Sequence, residues 1–121
     1  MCEAAEVFGV PIMGIAGTET ERAAAARGIP FIGEYFADLD YADDGDLIVT
    51  RAQPCDPGRA TQRLARALDT GLVETVGGHD IQIRFDTVCV HLDNPAVVEV
   101  AMALQEVLRC RARSAPIGSG A

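Results

Sequence analysis

The stretch Thr87-Val88-Cys89-Val90-His91-Leu92-Asp93-Asn94-Pro95 carries a strand directly into a helix. The β-branched and apolar residues from Thr87 to His91 suit a strand, because branched side chains pack well on a pleated surface. Asn94 can cap a helix and Pro95 fits its first turn, so the boundary is sharp. The helix is expected over Pro95–Arg111, with Val97, Val100, Ala101, Leu104, Val107 and Leu108 in one apolar stripe. In α/β folds the C-terminal ends of parallel strands are where ligands are held. His91 and Asp93 stand at such an end, which makes them the first site candidates.

The same punctuation recurs upstream. Residues 1–9 read as the end of a helix, Pro11–Ile15 as a short strand and Ala16-Gly17 as a tight turn. Thr18 with Glu21 has the spacing of a capping box, opening a helix over Glu19–Arg27 that Gly28 stops. Phe31–Ala37 is the next strand, and Leu47–Thr50 resumes a strand-like run after an acidic segment. Asp56 and Pro57 open a helix with Ala60, Leu64, Ala67 and Leu68 on one face, ended by Gly71. Leu72–Val76 and Ile81–Arg84 flank Gly77-Gly78 as a hairpin or a small excursion. The alternation predicts an α/β fold of mostly parallel strands with right-handed crossovers and outer helices. Residues 1–112 are expected to form this domain, and the Gly/Ser/Pro-rich residues 113–121 a disordered tail.

A chain of 121 residues suffices for one domain, and 49% hydrophobic content suits a packed core. The net charge of −8 argues against nucleic acid and anionic membranes as partners, since both attract basic surfaces. No apolar run approaches the roughly 20 residues of a membrane span. No signal-peptide pattern opens the sequence, and Cys2, Cys55, Cys89 and Cys110 form no C-x-x-C pair. A cytoplasmic protein with free thiols is expected.

Two blocks sharpen the reading. One is Glu34-Tyr35-Phe36-Ala37-Asp38-Leu39-Asp40-Tyr41, continuing through Asp44-Gly45 and Leu47 to Arg51; the other is Thr87 to Asp93. In this order and spacing they resemble the C-terminal part of the LamB/YcsF family. The Gly14-Ile15-Ala16-Gly17 turn and the Gly28 stop fall where that family has them. The resemblance implies the C-terminal portion of an irregular β/α (TIM-like) barrel. Histidine-bearing blocks of the Cys-Gly-Phe-His, Gly-Ala-His-Pro and Lys-Pro-His-Gly type, which mark the family's N-terminal half, are absent from this sequence. A partial member is therefore expected.

The resemblance further implies similarity to the A component of 5-oxoprolinase. Such a component helps open 5-oxo-L-proline or a related lactam to the amino acid, with ATP consumed and subunits B and C as partners. The isolated chain is expected to be inactive. Many members carry Phe-Ala-Asp-Arg-x-Tyr, whereas this chain has Leu39 in place of the Arg and then Asp40. That departure bears on the anion recognised, because arginine is the usual bidentate partner of carboxylates. A reading from another class is a non-catalytic remnant, or a half-barrel completed by a separate N-terminal chain. Homo-oligomers through an open sheet edge belong to the same class.

For each candidate, a chemical and a structural reading stand side by side. His91 is either a proton donor to a leaving nitrogen or a substrate hydrogen bond, or an imidazole that only ties down a loop. The resemblance favours catalysis by His91 and Asp38. Asp93 either orients His91 or a ligand, or it complements the positive end of the following helix. Asp38 and Asp40 are either like-charged carboxylates suited to acid/base or substrate-binding work or part of a solvated acidic turn. Tyr41 is a substrate-binding candidate by the resemblance, and Arg51 is an anion ligand or an ordinary exposed arginine. Asp43, Asp44 and Asp46 read as a solvated turn around Gly45, and His79 as a solvated side chain. Gly14 and Gly17 precede a helix and could offer N–H groups to a phosphate of ATP, although a tight βα turn needs glycine anyway. No set of side chains has the spacing of metal ligands.

Overall fold

Phe31–Phe36 (β2) is the strand on which the fold is organised. In the computed structural model, which describes residues 1–48 and 55–114, β2 lies between Ile12–Gly14 (β1) and Thr87–Cys89 (β7). Both pairings are parallel, with Ile12 opposite Phe31 and Phe36 opposite Cys89. Parallel neighbours need crossover connections, and the chain supplies helices for them. Glu19–Ala26 (α2) links β1 to β2. Pro57–Thr70 (α3) lies on the long path from β2 to β7. Cys2–Phe8 (α1) precedes the sheet and Val97–Ser114 (α4) follows it.

Alongside the parallel sheet stand two antiparallel hairpins, of which the one flanking Gly77-Gly78 was expected and the one in the acidic segment corrects the expectation of mostly parallel strands. Asp40–Tyr41 (β3) pairs with Leu47–Ile48 (β4), and Leu72–Glu74 (β5) pairs with Asp80–Gln82 (β6). The links within them are too short to hold a crossover helix, so the chain turns back on itself. The hairpins are joined where the Val76 N–H donates to the Tyr41 carbonyl at 2.9 Å.

The main core gathers Tyr35 and Tyr41 with Leu64 of α3, Val73 of β5, and Val100 and Leu104 of α4. Along α3, Ala60, Leu64 and Ala67 are buried as their spacing requires, while Leu68 points outward. In the stripe read on α4, Val100 and Leu104 are buried but Leu108 is exposed. A smaller cluster of Ala5, Ile12, Ala24 and Ile29 seats α1 and α2 against β1.

Helix ends follow the sequence in part. Asp56 caps α3, its Oδ2 accepting the Arg59 N–H at 2.9 Å, and Gly71 closes the helix with φ 71°. The capping box at α2 is corrected. Thr18 turns its hydroxyl to the Ile15 carbonyl at 2.7 Å, and the Glu21 carboxylate takes the Gly17 N–H at 2.8 Å instead. The last helix begins at Val97 rather than Pro95, because Asn94–Ala96 form a turn in which Asn94 Oδ1 accepts the Ala96 N–H at 3.0 Å. It runs on to Ser114, through the start of the segment read as a tail, and residues 115–121 lie outside the described residues. No helix among the described residues is long and apolar enough to cross a membrane.

Candidate functional site

β2 and β7 run in step, with Phe36 opposite Cys89 at their C-terminal ends. The same step carried forward on both chains brings Asp38 and His91 together. Asp38 Oδ2 accepts the His91 backbone N–H at 2.6 Å, and Oδ1 lies 3.0 Å from His91 Nδ1. This explains why β7 is shorter than the strand read over Thr87–His91. The amide of His91 is spent on a carboxylate rather than on a neighbouring strand.

The pair is asymmetric in exposure: the Asp38 side chain is 1% accessible and that of His91 36%. A buried carboxylate is stable only with donors to satisfy it, and His91 provides two from one residue. With Asp38 ionised, Nδ1 carries the ring proton and Nε2 presents its lone pair. Nε2 has no protein partner among the described residues. The Phe36 ring stacks on the imidazole, with centroids 5.6 Å apart and planes at 19°. Carboxylate, aromatic face and strand end thus fix the ring while leaving one nitrogen for chemistry.

The other candidates are not brought into this pair. Asp93 is exposed and makes no side-chain hydrogen bond or ion pair among the described residues. Asp40 forms a surface ion pair with Arg59 at 3.0 Å. Tyr41 is a core residue: its hydroxyl accepts the Phe36 N–H at 3.1 Å and its ring stacks on Tyr35. Arg51 lies outside the described residues. Gly14 sits within β1, paired with Gly33. Gly17 has its N–H committed to the Glu21 carboxylate, which also binds Arg84 at 2.7 Å. The Glu21 carboxylate thus occupies the N–H that the turn could offer to an anion.

Asp43 is more than a solvated residue. Its carboxylate accepts the hydroxyl proton of buried Thr75, tying the β3–β4 turn to the β5–β6 turn. His79 is exposed, as its place beside Gly77-Gly78 suggested. A cavity of about 440 Å³ lined by Ala16, Gly17, Thr70, Gly71, Gln82 and Arg84 contains neither Asp38 nor His91. Burial raises the Cys89 thiol, and the charges of Glu34 and Asp38 push it further. Burial likewise raises Cys55, with Arg63 opposing. Both shifts favour the protonated thiol, the poorer nucleophile.

Phe36 is a contact of His91 that the sequence pattern did not single out. Its signal lay in its place two residues before Asp38 on the same strand end.

A model of the LamB/YcsF family matches residues 1–117. The chain belongs to the LamB/YcsF family. The A component of 5-oxoprolinase from Mycolicibacterium paratuberculosis is 38% identical over 105 residues, which is 84% of this chain and 41% of that one. The component of the same name from Gluconobacter oxydans is 42% identical over 96 residues, 76% of this chain and 37% of that one. A crystal structure of a lactam utilization protein from Thermus thermophilus superposes with a TM-score of 0.75 at 29% identity, covering 92% of this chain and 46% of that one. This LamB/YcsF chain therefore spans about two fifths of the length of these curated relatives and just under half of the solved one.

Proposed function

We propose that this LamB/YcsF chain supplies proton-handling groups to a reaction of the 5-oxoprolinase type, the hydrolytic opening of 5-oxo-L-proline or a related lactam. The observation that carries the reading is the Asp38–His91 pair, in a chain whose relatives are named as the A component of 5-oxoprolinase. A lactam amide is resonance-stabilised, so opening it demands an activated water and a proton for the departing nitrogen. His91 Nε2 is suited to take the proton from water and return it to the ring nitrogen, since an imidazole both accepts and donates protons near neutral pH. Asp38 holds the Nδ1–H tautomer and stabilises the imidazolium that forms between the two transfers. Phe36 offers its ring face to that cation. In this reading ATP binds to partner subunits B and C rather than to the Gly14–Gly17 turn, and the barrel that houses the site is completed outside this stretch of fold.

Reconstitution tests the reading. The chain is assayed for 5-oxoproline-dependent glutamate release alone, with subunits B and C, and with the N-terminal half of a family member added as a separate chain. Turnover only in the assembled mixtures, lost in His91→Gln, supports the proposal. Turnover that survives His91→Gln overturns the assignment, and its absence from every mixture removes the enzyme reading.

A second reading is an assembly half without chemistry of its own. It is favoured by β1 and β7, which lie at the two edges of the parallel sheet among the described residues, and by the exposed Val7 and Phe8 of α1 and Met13 of β1. A stable complex with the N-terminal half and no turnover would select it.

A further inference from the structure

Arg63 stands on α3 one residue before Leu64, which is fully buried. Its guanidinium donates from Nη1 to the Ala37 carbonyl at 3.3 Å and from Nη2 to the Leu39 carbonyl at 2.9 Å. Those are the carbonyls of the two residues flanking Asp38. Beyond Phe36 the chain leaves the parallel sheet, so these part-buried carbonyls need another partner. Arg59, on the same helix, instead reaches the exposed Asp40 carboxylate. Of the two arginines that α3 sends towards this turn, only Arg63 grips its backbone.

We infer that Arg63 is a positioning residue: by holding the backbone on both sides of Asp38, it aims the carboxylate at the His91 N–H and Nδ1. The assignment deepens the reading of Asp38 and His91 as the proton-handling pair and rests on it for its catalytic meaning. A planar guanidinium spans two acceptors with little loss of freedom, whereas an ammonium is a single point. Arg63 itself is half-buried, as a residue that reaches under a turn must be. Without the clamp, the turn that carries Asp38 loses both bonds that α3 makes to its backbone, and small displacements of catalytic groups are costly.

The test reads the hydrogen bonds themselves. The chain has only two histidines, His79 and His91, so the imidazole Nδ1–H resonance and the backbone amide of His91 are assignable by NMR. In Arg63→Met the Nδ1–H resonance is expected to vanish, and the His91 amide to exchange about tenfold faster than the surrounding strand amides. Arg63→Lys should recover part of both, and Arg59→Met should change neither. In the reconstituted enzyme, Arg63→Met should lower kcat about a hundredfold with KM nearly unchanged.

If Arg63→Met does not fold, Arg63→Lys decides, since it keeps the charge and loses the fork. A His91 resonance and amide exchange identical to wild type in the folded variant overturn the inference. Altered hydrogen bonds together with turnover indifferent to His91→Gln would keep the clamp and overturn the catalytic reading, so the two failures are separable.

Discussion

Gly33 and Asp86 bond to each other twice. The Gly33 N–H donates to Asp86 Oδ2 at 2.9 Å, and the Asp86 N–H donates to the Gly33 carbonyl at 2.8 Å. This clasp sits immediately before the Glu34–Thr87 register pair, where β7 joins β2. It fixes the frame in which the two strands advance together, and that frame sets Asp38 opposite His91. A contact at the start of the pairing therefore governs the site at its end.

Gly33→Ala should loosen that frame. A Cβ at this position would lie 3.2 Å from the Arg84 carbonyl oxygen and 3.3 Å from Phe85 Cα, both backbone atoms. Backbone cannot rotate away as a side chain does, so the expected loss is about 1–3 kcal/mol. Urea unfolding measures it, and an unchanged midpoint with unchanged slope would show the approach to be relaxed.

Asp38→Asn tests the pair directly. An amide can accept the His91 backbone N–H with its oxygen and donate its own N–H to Nδ1, which turns the ring to the Nε2–H tautomer and removes the lone pair from Nε2. Only about 1 kcal/mol of stability should be lost, since the charge-assisted bonds become neutral ones. In the reconstituted enzyme, turnover should fall roughly 10²–10⁴-fold, the range general acid–base groups contribute. Wild-type turnover in Asp38→Asn would reduce the pair to a structural tie.

How much was legible follows from where each signal lies. That Asp38 and His91 each close a strand could be read from the sequence, because strand ends are marked by local composition. That one carboxylate would take the backbone amide as well as the ring could not, because it depends on the relative advance of β2 and β7. Tyr41 shows the opposite case. Its place in the block with Asp38 made it a site candidate, yet its side chain fills the core and its hydroxyl serves the Phe36 amide. Thr18 and Glu21 had the spacing of a capping box, but tertiary contacts between Glu21 and Arg84 redirected the carboxylate. Local spacing specifies which groups can reach each other, and tertiary competition decides which do.

Tyr41 predicts an alkaline instability. Burial pushes its hydroxyl up to about 12 from an ordinary value of 10. Between those values the unfolded chain releases the proton and the folded chain keeps it. The associated stability is therefore complete below pH 10 and is lost as pH rises towards 12. The loss is on the order of 2 kcal/mol for this group. Tyr41→Phe should be about 1 kcal/mol less stable at neutral pH, having lost the bond to Phe36, and should show a shallower decline above pH 10. The raised Tyr35 leaves a residual slope in that variant. Parallel stability–pH curves for the two proteins would contradict the assignment.

The two hairpin turns should behave as one energetic unit. A Cβ on Gly77 would lie 2.5 Å from both Asp43 carboxylate oxygens, closer than carbon and oxygen approach. The carboxylate is the free end of a flexible side chain, so it can swing aside in Gly77→Ala. In doing so it gives up the Thr75 hydroxyl, which also accepts the His79 N–H at 3.3 Å. Thr75 is 4% exposed, so its abandoned hydroxyl proton is not readily satisfied by water. Gly77→Ala and Asp43→Ala should each cost about 1 kcal/mol, and the double variant little more than either alone, since both remove the same bond. A denaturation double-mutant cycle measures this. Additive losses would mean that the turns are held by the Val76–Tyr41 backbone bond and not by Asp43.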